Sequence, residues 1–325
     1  MNAHRTEVAA ASPRTGSPVF GRFSMSVRTS LLVILSLFVT GLLSLAALNL
    51  NTAWTQMTAA QAMRANNDVG NLFLDSAGSL AAERGATNAA LGSSAVIDEQ
   101  KRSQIAELRR KADDALAGAL AAIEAQADFN GRSALLARVR ADHDAVVALR
   151  RDVDTQLARS GLERDAAVVG KWVPTATALI MSSQKLRTAA QIVPASALAR
   201  TQIMLDLKHA TWVMSEYAGR ERATIGGLIA RGANIDSGTL ARLAEFRGRL
   251  EQAWNSIETY AARESANPLV LPAVAAARAE FFGTYQGVRD SVYAAGSKGL
   301  PYPVNTEQWI AAATKGIDSL LERLR

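Results

Sequence analysis

No cysteine occurs in the 325 residues. That absence removes disulfides, thiolate metal sites, covalent haem attachment and cysteine nucleophiles from consideration. It says little about compartment, because a helical chain of this size needs no disulfides to fold. Aromatic residues are scarce, at 6%, and the chain leans on Ala and Leu, which favours helix packing over sheets. Only three histidines are present, His4, His143 and His209. The run "DHD" (142–144) puts its side chains in three different directions on a helix, and neither a histidine at i+4 nor an HExxH pattern accompanies it. No metal and no cofactor is therefore expected. There is also no nucleophile motif, no phosphate-binding loop and no GxGxxG after a strand, so no catalytic residue is nominated and the chain is not read as an enzyme.

Charge of one sign is unevenly placed. The net charge is +6, and half of it lies in the first 28 residues, where Arg5, Arg14, Arg22 and Arg28 face a single Glu7. Elsewhere basic clusters such as "KRSQIAELRRK" (101–111) are interleaved with acids at helical spacing, the pattern of a solvated face. Nucleic acid is not the expected partner.

What the chain does have is one long uncharged segment. No charged side chain lies between Thr29 and Met63, and "LLVILSLFVTGLLSLAALNL" (31–50) is long enough to cross hydrocarbon as a helix. The arginines precede it, so the positive-inside rule keeps the N-terminus in the cytoplasm and exports the residues beyond the segment. A cleaved signal peptide is the rival reading, with "SLA" (44–46) as a weak cleavage pattern. The length of the run and its unbroken passage into a helical stretch favour a retained anchor. The last residues, "IDSLLERLR", carry no helix stop, so a second crossing and a cytoplasmic part are expected beyond them.

The exported part reads as one unit written twice. At an offset of 138 residues, "AELRRKADDAL" (106–116) falls on "AEFRGRLEQAW" (244–254), Arg151-Asp152 on Arg289-Asp290, and Gly161-Leu162 on Gly299-Leu300. After a one-residue deletion, "WVPTATALIMS" (172–182) meets "WIAAATKGIDS" (309–319). Each copy breaks into four helical stretches: about 53–91, 97–128, 132–159 and 164–191, then about 195–230, 238–265, 269–296 and 304–325. Apolar residues recur at three and four, as in Leu135, Val139, Val146 and Leu149. Asn267 before Pro268 suits an N-cap, and Pro194 should break or kink the helix that links the copies. The expected architecture is all-α: a basic segment (1–28), a transmembrane helix (29–52), a four-helix bundle (53–192) and a second one (193–325).

One pair of residues disturbs the apolar pattern in both copies. The ladder Val69, Phe73, Ser76, Leu80, Thr87 and Leu91 is interrupted by Glu83-Arg84. The ladder Met214, Tyr217, Ile225 and Leu228 is interrupted by Glu221-Arg222. Steps of three and four put at least one member of each pair on the buried seam, where a charge is costly unless paired. Small residues, among them Gly85, Gly219, Gly226 and Gly227, surround them. Two explanations stand: a structural ion pair inherited twice, or an arginine that grips a small anion while its Glu orients it. Trp172 and Trp309, at matching places, would either line a pocket or close the end of a bundle.

The run "ERGATNAAL" at the end of a first long helix resembles the nitrate- and nitrite-sensing domain. That resemblance implies two four-helix bundles in the exported region of a bacterial transmembrane receptor, covering about residues 60–325, with an anion held by helix-borne arginines. Carried over, it points to Arg84 and, through the internal repeat, to Arg222. Arg220, Glu83 and Glu221 complete the candidate ligand-binding set. Glu83 stands where another arginine is expected, which puts nitrate itself in question. The resemblance further implies a homodimer in the bacterial inner membrane, residues after about 52 lying in the periplasm or outside. The partners would be a small anionic ligand and a downstream signalling module of kinase, chemotaxis or cyclic-dinucleotide type. The alternative is a membrane-anchored scaffold or adaptor that binds a protein partner.

Overall fold

Helical periodicity, short capped connections and the absence of period-two segments produce a chain with no strand among the described residues. The computed structural model describes residues 26–126, 128–191 and 198–321. Pro194, most of the basic N-terminal segment and the last four residues, on which the sequence raised expectations, lie outside them. Two units are distinguished, Met1–Met57 and Thr58–Arg325.

Helix α1 covers Val27–Gly92. In the first unit its apolar side chains are exposed, Leu31, Leu35, Phe38, Leu42 and Leu45 each by more than half. This is the only described helix long and apolar enough to cross a membrane. At 1.5 Å per residue, 20 such residues cover about 30 Å, the thickness of a hydrocarbon core.

In the second unit the remaining helices are α2 (Glu99–Ala125), α3 (Arg132–Leu157), α4 (Ala166–Ala189), α5 (Leu198–Arg231), α6 (Ser237–Ala261), α7 (Leu271–Ala279), α8 (Tyr285–Lys298) and α9 (Thr306–Leu321). A π turn at Glu280–Thr284 joins α7 to α8, so the two make one interrupted helix. Asp98, Asp165 and Asp236 cap α2, α4 and α6 by accepting from the backbone N–H of Lys101, Ala167 and Thr239. Asn267 does not cap α7. Its side chain accepts from Leu269 N in a turn, and the helix begins only at Leu271.

Apolar side chains gather into two cores. The end of α1 packs with α2, α3 and α4 around Phe73, Leu80, Leu116, Ile123, Val146 and Leu179. Helices α5, α6, α7–α8 and α9 surround Met214, Ile225, Leu250, Phe281, Val292 and Trp309. The cores meet where α1 runs beside α5 in the same direction. Lys208 Nζ reaches Asn71, Asn88 Nδ2 donates to the carbonyl of Ala223 at 3.0 Å, and Gly92 faces Ala230 and the Gly227 carbonyl. The glycines let the two backbones approach closely at this end.

The end of α1 is fixed from outside. Buried Arg164 donates to the carbonyls of Ala90, Leu91, Ser93 and Ala95, supplying a cation where the helix dipole is negative. Next to it, Gly161 N donates to Ser94 O at 2.8 Å, and a Cβ on Gly161 would sit 2.9 Å from Ser94 Cα and 2.8 Å from the Ser93 carbonyl oxygen. Both obstacles are backbone. Gly161→Ala should therefore lower unfolding stability by about 1–3 kcal/mol, measured by denaturation of the full chain in detergent, whereas Gly118→Ala, with nothing within 4 Å, should not.

Candidate functional site

Glu83 and Arg84 are both buried, at 1% and 0% exposure, but they do not pair with each other. Successive helical residues diverge by about 100°, so each meets a different neighbour. Glu83 turns into the first core. It accepts from Arg150 Nε at 2.7 Å and Nη2 at 2.6 Å, and Arg109 stands 3.5 Å away. Arg150 also donates to Asp113. Burial alone would depress the Arg150 guanidinium, but Glu83 and Asp113 outweigh it and hold its pKa above the ordinary arginine value.

Arg84 turns the other way, toward α5. Its fork closes on Glu216, Nη1 to Oε1 at 2.9 Å and Nη2 to Oε2 at 3.2 Å, and Nη1 also donates to the Thr177 hydroxyl at 2.8 Å. Its backbone carbonyl accepts from Trp172 Nε1. Gly219 faces this guanidinium, where a Cβ would lie in ordinary contact, 3.5 Å from Nη2. Glu216 takes a further bond from Arg220 Nε at 2.7 Å. Burial would raise the Glu216 carboxyl, but Arg84 and then Arg220 override it and hold its pKa below the usual carboxylate value.

The second bundle repeats this arrangement with one member missing. Glu221 pairs with Arg289 at 2.9 Å and accepts from the Tyr293 hydroxyl at 2.6 Å. Trp309 Nε1 donates to the Arg222 carbonyl as Trp172 does to that of Arg84. Arg222 Nη1 donates to Thr314 as Arg84 does to Thr177. No described residue corresponds to Glu216. Among the described residues Arg222 makes one side-chain hydrogen bond, to Thr314, and no ion pair within 4.0 Å. Burial first, and then Arg84 across the α1–α5 seam, push its pKa down from the ordinary value, against the opposing pull of Tyr285, Asp318 and Glu216. Gly85 on α1 faces it, where a Cβ would lie in ordinary contact, 3.8 Å from Arg222 Nη2.

More unmet donors lie beside Arg222. The Tyr285 hydroxyl and Arg289 Nε are buried without a hydrogen-bond partner. Burial and Glu221 keep the phenol well above its usual pKa and so protonated. Gly316 sits against the Tyr285 ring, where a Cβ would approach to 3.0 Å. Four guanidinia, those of Arg84, Arg150, Arg222 and Arg289, thus meet only three buried glutamates. The surplus one, Arg222, is half-buried, and Asp318 and Glu216 offset its charge only at a distance, which leaves it suited to an added anion.

A family model described as nitrate and nitrite sensing matches residues 75–323. The chain belongs to this family. Its matched region is a sensing domain rather than a catalytic one, and the all-helical fold agrees with the resemblance noted from "ERGATNAAL". Comparison with curated proteins and with solved structures gives no match.

Of the residues nominated from sequence in this nitrate- and nitrite-sensing domain, Arg84 and Arg220 converge on Glu216. Arg222 faces that cluster across the seam, while Glu83 and Glu221 orient other arginines and not their own neighbours. The expectation that each Glu positions the adjacent Arg is therefore corrected. Trp172 and Trp309, both fully buried, donate to the backbone carbonyls of Arg84 and Arg222. Sequence reasoning missed Glu216, Tyr285, Thr177 and Thr314. It also paired Arg289 with Arg151, whereas the residue that matches it in contact is Arg150. The π turn adds a residue upstream of Arg289 and shifts the register by one. His143 meets Asp113 at 3.2 Å, and no cluster suited to a metal is found among the described residues.

Glu83→Ala should cost about 3 kcal/mol of stability by leaving Arg150 Nε and Nη2 unmet, with Asp113 still paired to Nη1, read from chemical denaturation of the full chain. Glu216 has a depressed folded pKa, so its contribution is complete above its unfolded value near 4.5 and is lost as pH falls through the folded value. Glu216→Gln should accordingly flatten the fall of stability between neutral pH and the region below 4.5. An unchanged pH profile would show that the pair is not formed.

Proposed function

We propose that the second unit senses nitrate or nitrite outside the cytoplasm, and that the anion is gripped at Arg222 with Arg84 facing it. The observation that carries this reading is a half-buried guanidinium with no ion pair of its own, which Asp318 and Glu216 reach only at a distance, in a family described as nitrate and nitrite sensing. A planar monoanion with two or three oxygens suits the guanidinium fork. Thr314 and the Tyr285 hydroxyl offer further donors, and Arg289 adds positive field. Glu216 acts as a built-in carboxylate that occupies Arg84 in the ligand-free protein, with Arg220 ready to hold it. Glu83 and Glu221 keep Arg150 and Arg289 in place around the site.

An anion shifts a receptor only by the difference in its affinity for two states. At Arg222 it would cancel the repulsion between two guanidinia that face each other across α1 and α5, and so change how tightly the helices pack there. Arg84 lies on the helix that also carries the apolar stretch 31–50, which makes a small slide or rotation of α1 the signal. The same reading includes an uncleaved inner-membrane anchor with residues after about 52 exported, a homodimer, two bundles (53–192 and 193–325) derived from a duplication, and an output module of kinase, chemotaxis or cyclic-dinucleotide type. The matched Trp–carbonyl and Arg–Thr contacts support the duplication.

The test is thermal denaturation of the full chain in detergent, with sodium nitrate or nitrite against sodium gluconate at equal ionic strength. Wild type should gain stability specifically with nitrate or nitrite, by about 2.7 kcal/mol at one hundred times Kd. Arg222→Gln should lose the part of that gain that exceeds the effect of sodium chloride, while still unfolding cooperatively. If neither anion stabilises wild type beyond gluconate, the anchored scaffold that binds a protein partner becomes the better account.

A further inference from the structure

A fully buried arginine lacks a counter-charge, and it lies away from the Arg222 site. Arg187, near the end of α4, is 1% exposed. Its Nε donates to Gln184 Oε1 at 2.6 Å, and Gln184 is oriented for this by donating its own Nε2 to the Phe73 carbonyl. Beyond that the guanidinium is poorly served. Nη1 has no hydrogen-bond partner, and Nη2 has only a long 3.4 Å contact with His209 Nδ1.

No acid is in a position to neutralise it. Helix α4 contains no Asp or Glu, and neither does the stretch 190–201 after it. Asp68 and Asp75 on α1 and Asp206 on α5 are exposed, and no ion pair to Arg187 within 4.0 Å is made among the described residues. Burial, with nothing to offset it, pushes the guanidinium down to about 10, so it stays charged at neutral pH. A charge held in that state at such depth is normally paired.

Access is provided on one side. Gln184 and His209, the two side chains that touch Arg187, also line a groove of about 380 Å³ together with Trp212, Met181 and Thr188. His209 is exposed there and tilted against Trp212, ring centroids 5.5 Å apart. Burial and then Arg187 hold the imidazole pKa below its usual value, consistent with a neutral ring covering a cation. The ring is an exposed, weakly bonded cover, and its rotation would open Arg187 to the groove.

We propose that Arg187, with Gln184 positioning it and His209 covering it, is a second binding site for a small inorganic monovalent anion, independent of the one at Arg222. The ion completes the unmet donors Nη1 and Nη2 and neutralises the buried charge between α4 and α5. Chloride and nitrate share this chemistry and would reach it from the same groove.

The experiment compares melting temperatures of the full chain in detergent in sodium chloride, sodium nitrate and sodium gluconate at equal ionic strength, for wild type, Arg187→Gln and Arg222→Gln. Wild type and Arg222→Gln should both be stabilised by chloride relative to gluconate, and Arg187→Gln should not. A nitrate effect stronger than the chloride effect at Arg187, seen with Arg222→Gln, would mark the site as nitrate-selective; equal effects would mark it as a general halide and oxyanion site. A chloride increment that survives in Arg187→Gln, or that is lost in Arg222→Gln alone, overturns the proposal. Should Arg187→Gln fail to fold, crystals of wild type grown in bromide decide the matter. Anomalous density within hydrogen-bonding distance of the Arg187 guanidinium supports the site, and none there refutes it.

Discussion

Everything in the sensing unit turns on a half-buried guanidinium without an ion pair of its own, at a seam where two helices run side by side. Three of the four arginines at this level are matched by a glutamate each. Arg222 has a threonine hydroxyl and a backbone carrying a tryptophan bond, but no ion pair, with Asp318 and Glu216 acting on it only at a distance. The proposed anion site rests on that imbalance.

The surrounding structure is arranged to keep the imbalance in place. Gly85 and Gly219 each face the arginine of the other helix. Trp172 and Trp309 fasten the two carbonyls, so the arginine backbones cannot retreat. Glu83 and Glu221 are engaged by Arg150 and Arg289, and are not free to neutralise the residue next door. The difference between the halves is Glu216. It fills the fork of Arg84 and leaves that of Arg222 open, which makes the two otherwise parallel arrangements unequal, one resembling a ligated state and the other an unligated one.

Much of the fold could be read from sequence, and the reason is physical. Periodicity at three and four, with Gly and Asn-Gly stops, placed the helices to within a few residues. The ladder through Glu83-Arg84 and Glu221-Arg222 correctly put charge on the buried face. Partner choice was not legible. Arg84 and Glu216 are 132 positions apart, and nothing in local spacing says which of two adjacent helical residues turns toward which neighbour. The match of Arg289 with Arg150 was hidden for a related reason. A π turn adds a residue without disturbing the apolar pattern on either side, so a self-comparison at constant offset slides past it. The apparent N-cap at Asn267-Pro268 failed because the asparagine was used to close a turn first.

A structure of the full chain determined in nitrate tests the central claim most directly, through the distance from ligand oxygen to the Arg222 guanidinium. The account predicts nitrate oxygens at about 3 Å from that guanidinium, with Tyr285 or Thr314 as a further donor. An Arg222 still bonded only to Thr314, with the anion bound elsewhere, would contradict it.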